Sequence, residues 1–356
     1  MIKVDLITGF LGSGKTTFIK KYVRYLNSQG IKVCILENDY GAVNIDVALL
    51  EDIRSDMCGV EMIVGGDGKH AHQRRLKTKL ITLAMSGYQR VIIEPSGIFD
   101  MDEFFDTLYE SPLDNWYEIG SIIAIASADL ENDLSKDSDY VLASEIADAG
   151  IVVLSKTEEA DEAQIKSVKD HIRSALEAIS IKRTDIFRSE EAYDNFFINK
   201  GNDELTDDDF KRIASAGYVH GDYEKRQISD DSAYTSLYLF GVKLPKDELI
   251  ENVGKAIEDP ECGHIIRIKG FAKADHVDED KSELHVENCE SSKGKAENNA
   301  FTNSESEGYI EVNATSKNTS ISHIKSAQEV IIVIGENLKT DRINQYFPTA
   351  DFSELI

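Results

Sequence analysis

The stretch GFLGSGKTT, Gly9 to Thr17, fits the pattern G-x-x-x-x-G-K-[ST] and sits between an apolar run over 2–8 and a segment with helical apolar spacing. Such a loop works only where a strand ends and a helix begins. Its glycines let backbone amides curl about phosphate oxygens, and the helix N-terminus turns its dipole toward them. In that context Gly9, Gly12, Ser13, Gly14, Lys15, Thr16 and Thr17 form the expected phosphate cradle, with Lys15 neutralising β/γ charge and Thr16 ligating Mg²⁺. The expected ligand is a nucleoside triphosphate.

The rest of the first half agrees with that start. Apolar runs over 32–36, 90–93, 121–126 and 151–154 are continuous rather than alternating, as in strands buried on both faces. Between them Phe18, Ile19, Tyr22, Val23 and Leu26 recur at three- and four-residue steps, and so do Ile165, Val168, Ile172, Leu176 and Ile179. Alternating strands and helices predict an α/β fold of the P-loop NTPase kind, a mostly parallel sheet flanked by helices. We expect this domain to span 1–195. An acidic stretch over 196–232 is read as a linker. A smaller C-terminal α+β domain is expected over 233–345, with a polar, weakly ordered insertion near 275–306.

Composition narrows the partners. The chain of 356 residues carries 65 acidic and 39 basic side chains, a formal charge of −26, and this excess repels nucleic-acid phosphates and anionic lipids. Neither nucleic acid nor a membrane is expected as a partner. No apolar run approaches the ~20 residues of a membrane span, and the start MIKVDLITGF lacks a signal-peptide pattern, so a cytoplasmic location is expected. The four cysteines, Cys34, Cys58, Cys262 and Cys289, are widely spaced and read as reduced thiols.

A P-loop needs a carboxylate at the end of a neighbouring strand. RVIIEPSG supplies Glu94 for the magnesium shell and the amide of Gly97 for the γ-phosphate. Taken together, ITGFLGSGKTT, ENDYGAVNIDVALL, IIEPSG, RIKGF and VIIVIGENL resemble the landmarks of the CobW-like GTPases, relatives of the urease and hydrogenase nickel-insertion GTPases. The resemblance implies a switch that binds and slowly hydrolyses GTP with Mg²⁺. It also implies delivery of a metal or metallocofactor, for instance a corrinoid, to a client metalloprotein or corrinoid protein. By this resemblance Lys15, Asp46 and Glu94 form the catalytic set, Thr16, Glu94 and Asp46 hold Mg²⁺, and Glu37 and Asp46 are acidic switch positions. From the residues alone, Glu37 reads equally as a strand-end charge and Asp46 as a helix N-cap.

Two places depart from the family pattern. Where the family usually has N-K-x-D, this chain has LSKTEEA, offering Ser155, Lys156 and Glu158. The lysine stem can cover a base and Glu158 can accept from the guanine edge, so GTP is expected over ATP, while Ser155 lacks the amide that normally braces the loop. The family also carries a C-x-C-C metal cluster, and here Gly66, Gly68 and Lys69 occupy its positions within VGGDGKHAHQRR. Three readings stay open for this stretch. It is a solvated turn before a basic helix start, a contact for a client or bulky cofactor, or a harder N/O site in which Asp67, His70 and His72, with Glu37, hold Zn²⁺, Co²⁺ or Ni²⁺.

The leading expectation is therefore a GTP-dependent metallochaperone. Its rivals are a P-loop small-molecule kinase, with Arg74, Arg75 and Lys77 as the candidate lid, and a nucleotide-gated interaction protein without metal.

Overall fold

The computed structural model describes residues 1–39, 50–64, 69–95, 101–131, 133–223, 235–273, 308–324, 328–348 and 351–353. They divide into two units, Met1–Thr235 and Ser236–Ile356. The expected acidic insertion near 275–306 lies outside the described residues.

In the first unit, β1 (Ile2–Thr8), β2 (Val33–Asp39), β3 (Cys58–Val64), β4 (Arg90–Pro95), β5 (Tyr117–Ser127), β6 (Ile151–Ser155) and β7 (Phe197–Ile198) form one sheet in the order β3-β2-β4-β1-β5-β6-β7. Every neighbouring pair is parallel. The central strands are buried on both faces, which is why they read as unbroken apolar runs. Because β1 lies between β4 and β5, the connections leave it in opposite directions. Ligands of open α/β sheets bind at the carboxyl ends of the strands around such a switch point.

Helix α1 (Lys15–Ser28) buries Phe18, Ile19, Tyr22, Val23 and Leu26, the residues picked out by periodicity. Its face packs with Ile7, Ile35, Ile123 and Val153 of the sheet. Beneath it lies a buried polar cluster. Asp5 accepts from the Tyr22 hydroxyl (2.7 Å) and the Ser121 amide (2.8 Å), and Arg90 Nε lies 2.7 Å from Asp5 Oδ2. Arg90 also donates to the Ala214 carbonyl (2.9 Å), so one guanidinium ties β1, β4 and the helix Asp207–Ala214 together.

That helix corrects the linker reading of 196–232. Phe197 and Ile198 form the last strand of the sheet, and Phe210 and Ile213 are buried in the core against α1. The acidity has a local cause. Asp207, Asp208 and Asp209 occupy the first turn of a helix, where the dipole favours them, and Thr206 and Asp209 complete a reciprocal capping box. Packed structure continues to residue 223, and 224–232 lie outside the described residues.

The second unit is the expected smaller α+β domain. β8 (Thr235–Phe240), β9 (His264–Lys273), β10 (Tyr309–Ala314), β11 (Thr319–Ile324), β12 (Val330–Glu336) and β13 (Asp351–Ser353) form a sheet in the order β11-β10-β9-β12-β8-β13. The pairs β10–β11, β9–β10, β9–β12 and β8–β13 are antiparallel. Leu249 and Val253 of the helix Lys246–Glu258 pack with Ile265, Ile268, Val312 and Val333 of the sheet.

Candidate functional site

The phosphate loop leaves β1 at Thr8 and enters α1 at Lys15. Gly9 has φ +135, and a Cβ built on it would lie 2.1 Å from the Ile125 carbonyl oxygen on β5, so no other residue fits between the two strands. Gly14, with φ 90, is the N-cap of α1 and offers no side-chain cap to the first-turn amides. Those amides are the orphan donors on which an anion docks.

Lys15 lies across the loop. Its Nζ donates to the Gly9 carbonyl (2.9 Å) and stands 4.0 Å from Glu94 Oε1 at the end of β4. Glu94 is in register with Glu37 of β2, and both side chains are buried. Glu37 and Glu94 thus take matching positions at the ends of neighbouring strands, with the Lys15 ammonium beside Glu94, an arrangement suited to a cation shell and a triphosphate.

One residue of the site escaped sequence reasoning. The Gly9 N–H donates to Glu145 Oε2 (3.1 Å), and the Thr8 hydroxyl donates to the Glu145 carbonyl (2.6 Å), fastening the helix Lys136–Ala147 under the loop. Burial pushes the Glu145 carboxyl up to about 7, against the opposing pull of the Lys15 ammonium and the Gly9 amide. The signal was present in YVLASEIADA, where Glu145 falls among the buried Val141, Leu142, Ala143, Ile146 and Ala147 of the helix.

The loop expected from the sequence to lie on the base side follows β6. Ser155 is buried, and its hydroxyl donates to the Ser13 carbonyl of the phosphate loop (2.5 Å). The brace expected to be lost with the amide is therefore supplied by the shorter hydroxyl, since the two loops lie close enough for it. Lys156 adopts the left-handed conformation (φ 53), and its Nζ pairs with Asp129 at 3.0 Å, an acid that also accepts from Ser127. Glu158 is exposed, with its carboxylate against Gly201 on the loop after β7.

The structure therefore gathers Gly9, Gly12, Ser13, Gly14, Lys15, Thr16, Thr17, Glu94, Ser155 and Lys156 around one loop. Asp46, Asp67 and Gly97 lie outside the described residues. The His-x-His reading changes: residues 70 and 72 fall in the helix Lys69–Ala84, and helix positions two apart do not face each other as they would along a strand. His72 is buried in that helix, and among the described residues no group of three or more His, Cys, Asp or Glu is placed to hold a metal ion. Of the candidate lid, Lys77 belongs to the same helix and pairs with Glu110 (2.5 Å).

A parallel sheet with a lysine-bearing glycine loop at its switch point defines a P-loop nucleotide-binding protein. The family description CobW/HypB/UreG, nucleotide-binding domain, matches residues 3–182, and the chain belongs to this family. Similar proteins include the zinc chaperone YeiR of Escherichia coli K12, 31% identical over 159 residues, which is 44% of this chain and 47% of that protein. The zinc chaperone YjiA of the same organism is 28% identical over 171 residues, 46% of this chain and 52% of its own. The chain thus spans about half the length of the curated relatives it matches. Among solved structures, the Zn(II)-bound YjiA GTPase from E. coli aligns over 97% of both chains at 15% identity and a TM-score of 0.34.

Proposed function

We propose that this protein is a GTP-dependent metallochaperone, a cytoplasmic switch that binds GTP with Mg²⁺, hydrolyses it slowly and couples the change to handing a metal to a client protein. The observation that carries the reading is the convergence of the phosphate loop, Lys15 and the carboxylates of Glu94 and Glu145 at the end of β1. Lys15 holds the β/γ oxygens and, on triphosphate binding, exchanges its contact with the Gly9 carbonyl for phosphate. Thr16 and Glu94, with Asp46, would hold Mg²⁺, which neutralises charge developing on the γ-phosphoryl group. Ser155 keeps the loop in register with the base-side lysine and Glu158.

Zinc is the proposed cargo, by analogy with the zinc chaperones that the chain resembles; delivery of a corrinoid is the finer alternative. The carboxyl ends of β2 and β3 are the proposed cargo end, because they set Glu37 beside Met62 and lead into the segment carrying Asp67 and His70. Carboxylate and imidazole make a harder donor set than the thiolates of the family, so this site holds zinc more loosely and favours transfer.

The test is zinc handover to a chromophoric chelator. GTP with Mg²⁺ should accelerate transfer over a nonhydrolysable analogue, and equal rates with both would remove hydrolysis from the delivery step.

A further inference from the structure

The sheet of the first unit has a second end, away from the phosphate loop. At the amino ends of its strands a cavity of about 310 Å³ opens among Leu108, Tyr109, Asp114, Tyr117, Glu118 and Tyr218. Tyr117 and Glu118 begin β5, Leu108 and Tyr109 end the helix Met101–Tyr109, and Tyr218 follows the helix Asp207–Ala214. The phosphate loop leaves β1 at its other end, after Thr8. The aromatic walls are already fixed. The Tyr117 hydroxyl donates to the Leu80 carbonyl (2.7 Å), the Tyr109 and Tyr218 hydroxyls hydrogen-bond at 3.1 Å, and Tyr218 is bridged to Ala149. A ligand entering between them has little side-chain order left to impose.

Two features state what such a cavity takes. Of the six large apolar side chains exposed among the described residues, Met1 and Tyr109 line it, and Trp116 and Val219 are chain neighbours of Tyr117 and Tyr218. Exposed apolar groups gathered in one place mark a docking surface. The charge there has one sign. Asp114 and Glu118 are exposed, and no lining side chain is cationic. Asp114 accepts from its neighbour Asn115 (2.8 Å), and Lys3 is in register with Glu118 on β1, yet among the described residues no ion pair joins either carboxylate to a cation.

We infer that this cavity is a docking pocket for an arginine side chain carried by a partner protein. Three tyrosines and two carboxylates suit a guanidinium on both counts. Its planar, weakly hydrated face stacks on aromatic rings, and its N–H fork donates to carboxylates, whereas the ammonium of lysine is compact and strongly hydrated. The two carboxylates and the formal charge of −26 turn acidic partners away. Because the pocket lies at the end of the sheet opposite the phosphate loop, the inference does not depend on the nucleotide reading above.

The chain has a single tryptophan, Trp116, whose carbonyl accepts from the Ile2 amide (2.8 Å), so tryptophan emission reports on this end of the sheet. The experiment titrates the full chain with acetyl-leucyl-arginyl-leucinamide and with the same peptide carrying citrulline, which keeps the shape of arginine and removes its charge. The arginine peptide should change the emission saturably and bind about tenfold more tightly than the citrulline peptide, with the difference shrinking in high salt. Asp114→Asn with Glu118→Gln alters only exposed side chains, so this double variant should melt like the wild type and bind both peptides alike. Saturating GTP with Mg²⁺ should leave the arginine titration unchanged. Equal binding of the two peptides by the wild type, a preference for arginine that survives in the double variant, displacement by GTP, or no saturable change would each overturn the inference. An emission change that follows protein concentration without peptide would make this face a contact between copies of the chain, and would overturn it too.

Discussion

The Ser155 hydroxyl, at the end of β6, donates to the Ser13 carbonyl oxygen at 2.5 Å, and through this bond the base-side loop holds the phosphate loop. Removing the hydroxyl leaves a buried carbonyl without that donor, at a cost of about 1–3 kcal/mol. Ser155→Ala should therefore lower the urea midpoint and weaken GTP and ATP by similar factors, because the bond positions phosphate contacts common to both. A selective loss of GTP would show instead that Ser155 reads the base.

Glu145 gives the site a pH dependence of definite sign. Its ordinary pKa of 4.5 rises to about 7 in the fold, so between those values the folded protein holds a proton that the unfolded chain has released. This contribution to stability is complete below the unfolded value and is lost as pH rises through the folded one. Glu145→Gln does not titrate. Its stability should match the wild type near about pH 4 and exceed it increasingly toward about pH 8, by on the order of 3 kcal/mol at most, with Tm following the same trend. A Tm difference that is flat with pH would contradict the assignment.

The Asp5–Arg90 pair predicts a different failure. Asp5 is wholly buried and, among the described residues, keeps only the Tyr22 and Ser121 donors when the guanidinium is removed. Breaking a buried pair from one side costs about 3–5 kcal/mol. Arg90→Ala should lose stability on that scale in chemical denaturation, and Asp5→Asn combined with Arg90→Met should recover part of it. A double variant less stable than Arg90→Ala would mean that the pair itself, and not the stranded charge, supplies the stability.

Metal retention separates the two histidines. His72 is buried within the helix Lys69–Ala84, whereas the proposed cargo site draws on Glu37, Asp67 and His70. Elemental analysis should find zinc unchanged in His72→Ala, with a lowered Tm, and reduced in His70→Ala. Zinc loss in His72→Ala alone would replace His70 by His72 in the proposed donor set.

Much of the fold was legible because its strands are buried on both faces and its first helix has a regular apolar face. The strand-to-helix turn of the glycine loop was legible too, since glycine, lysine and threonine at fixed spacing mark it locally. What stayed hidden depends on long-range contact. Glu145 lies 136 residues from the amide it accepts from, and nothing in local spacing joins them. Gly201 had no motif at all; only the return of β7 to the sheet edge brings it beside Glu158. The acidic run at Asp207–Asp209 was misread because charge alone does not distinguish a linker from a helix's first turn. The pair His70 and His72 changed meaning when the segment proved helical, since a two-residue spacing shares a face only in a strand.

The most direct test of the account is steady-state hydrolysis of GTP and ATP in Mg²⁺ by the wild type and by Lys15→Ala. The account predicts slow, Mg²⁺-dependent release of phosphate from GTP, much less from ATP, and none above background in Lys15→Ala. ATP hydrolysis equal to or faster than that of GTP, or activity that survives the loss of Lys15, would contradict it.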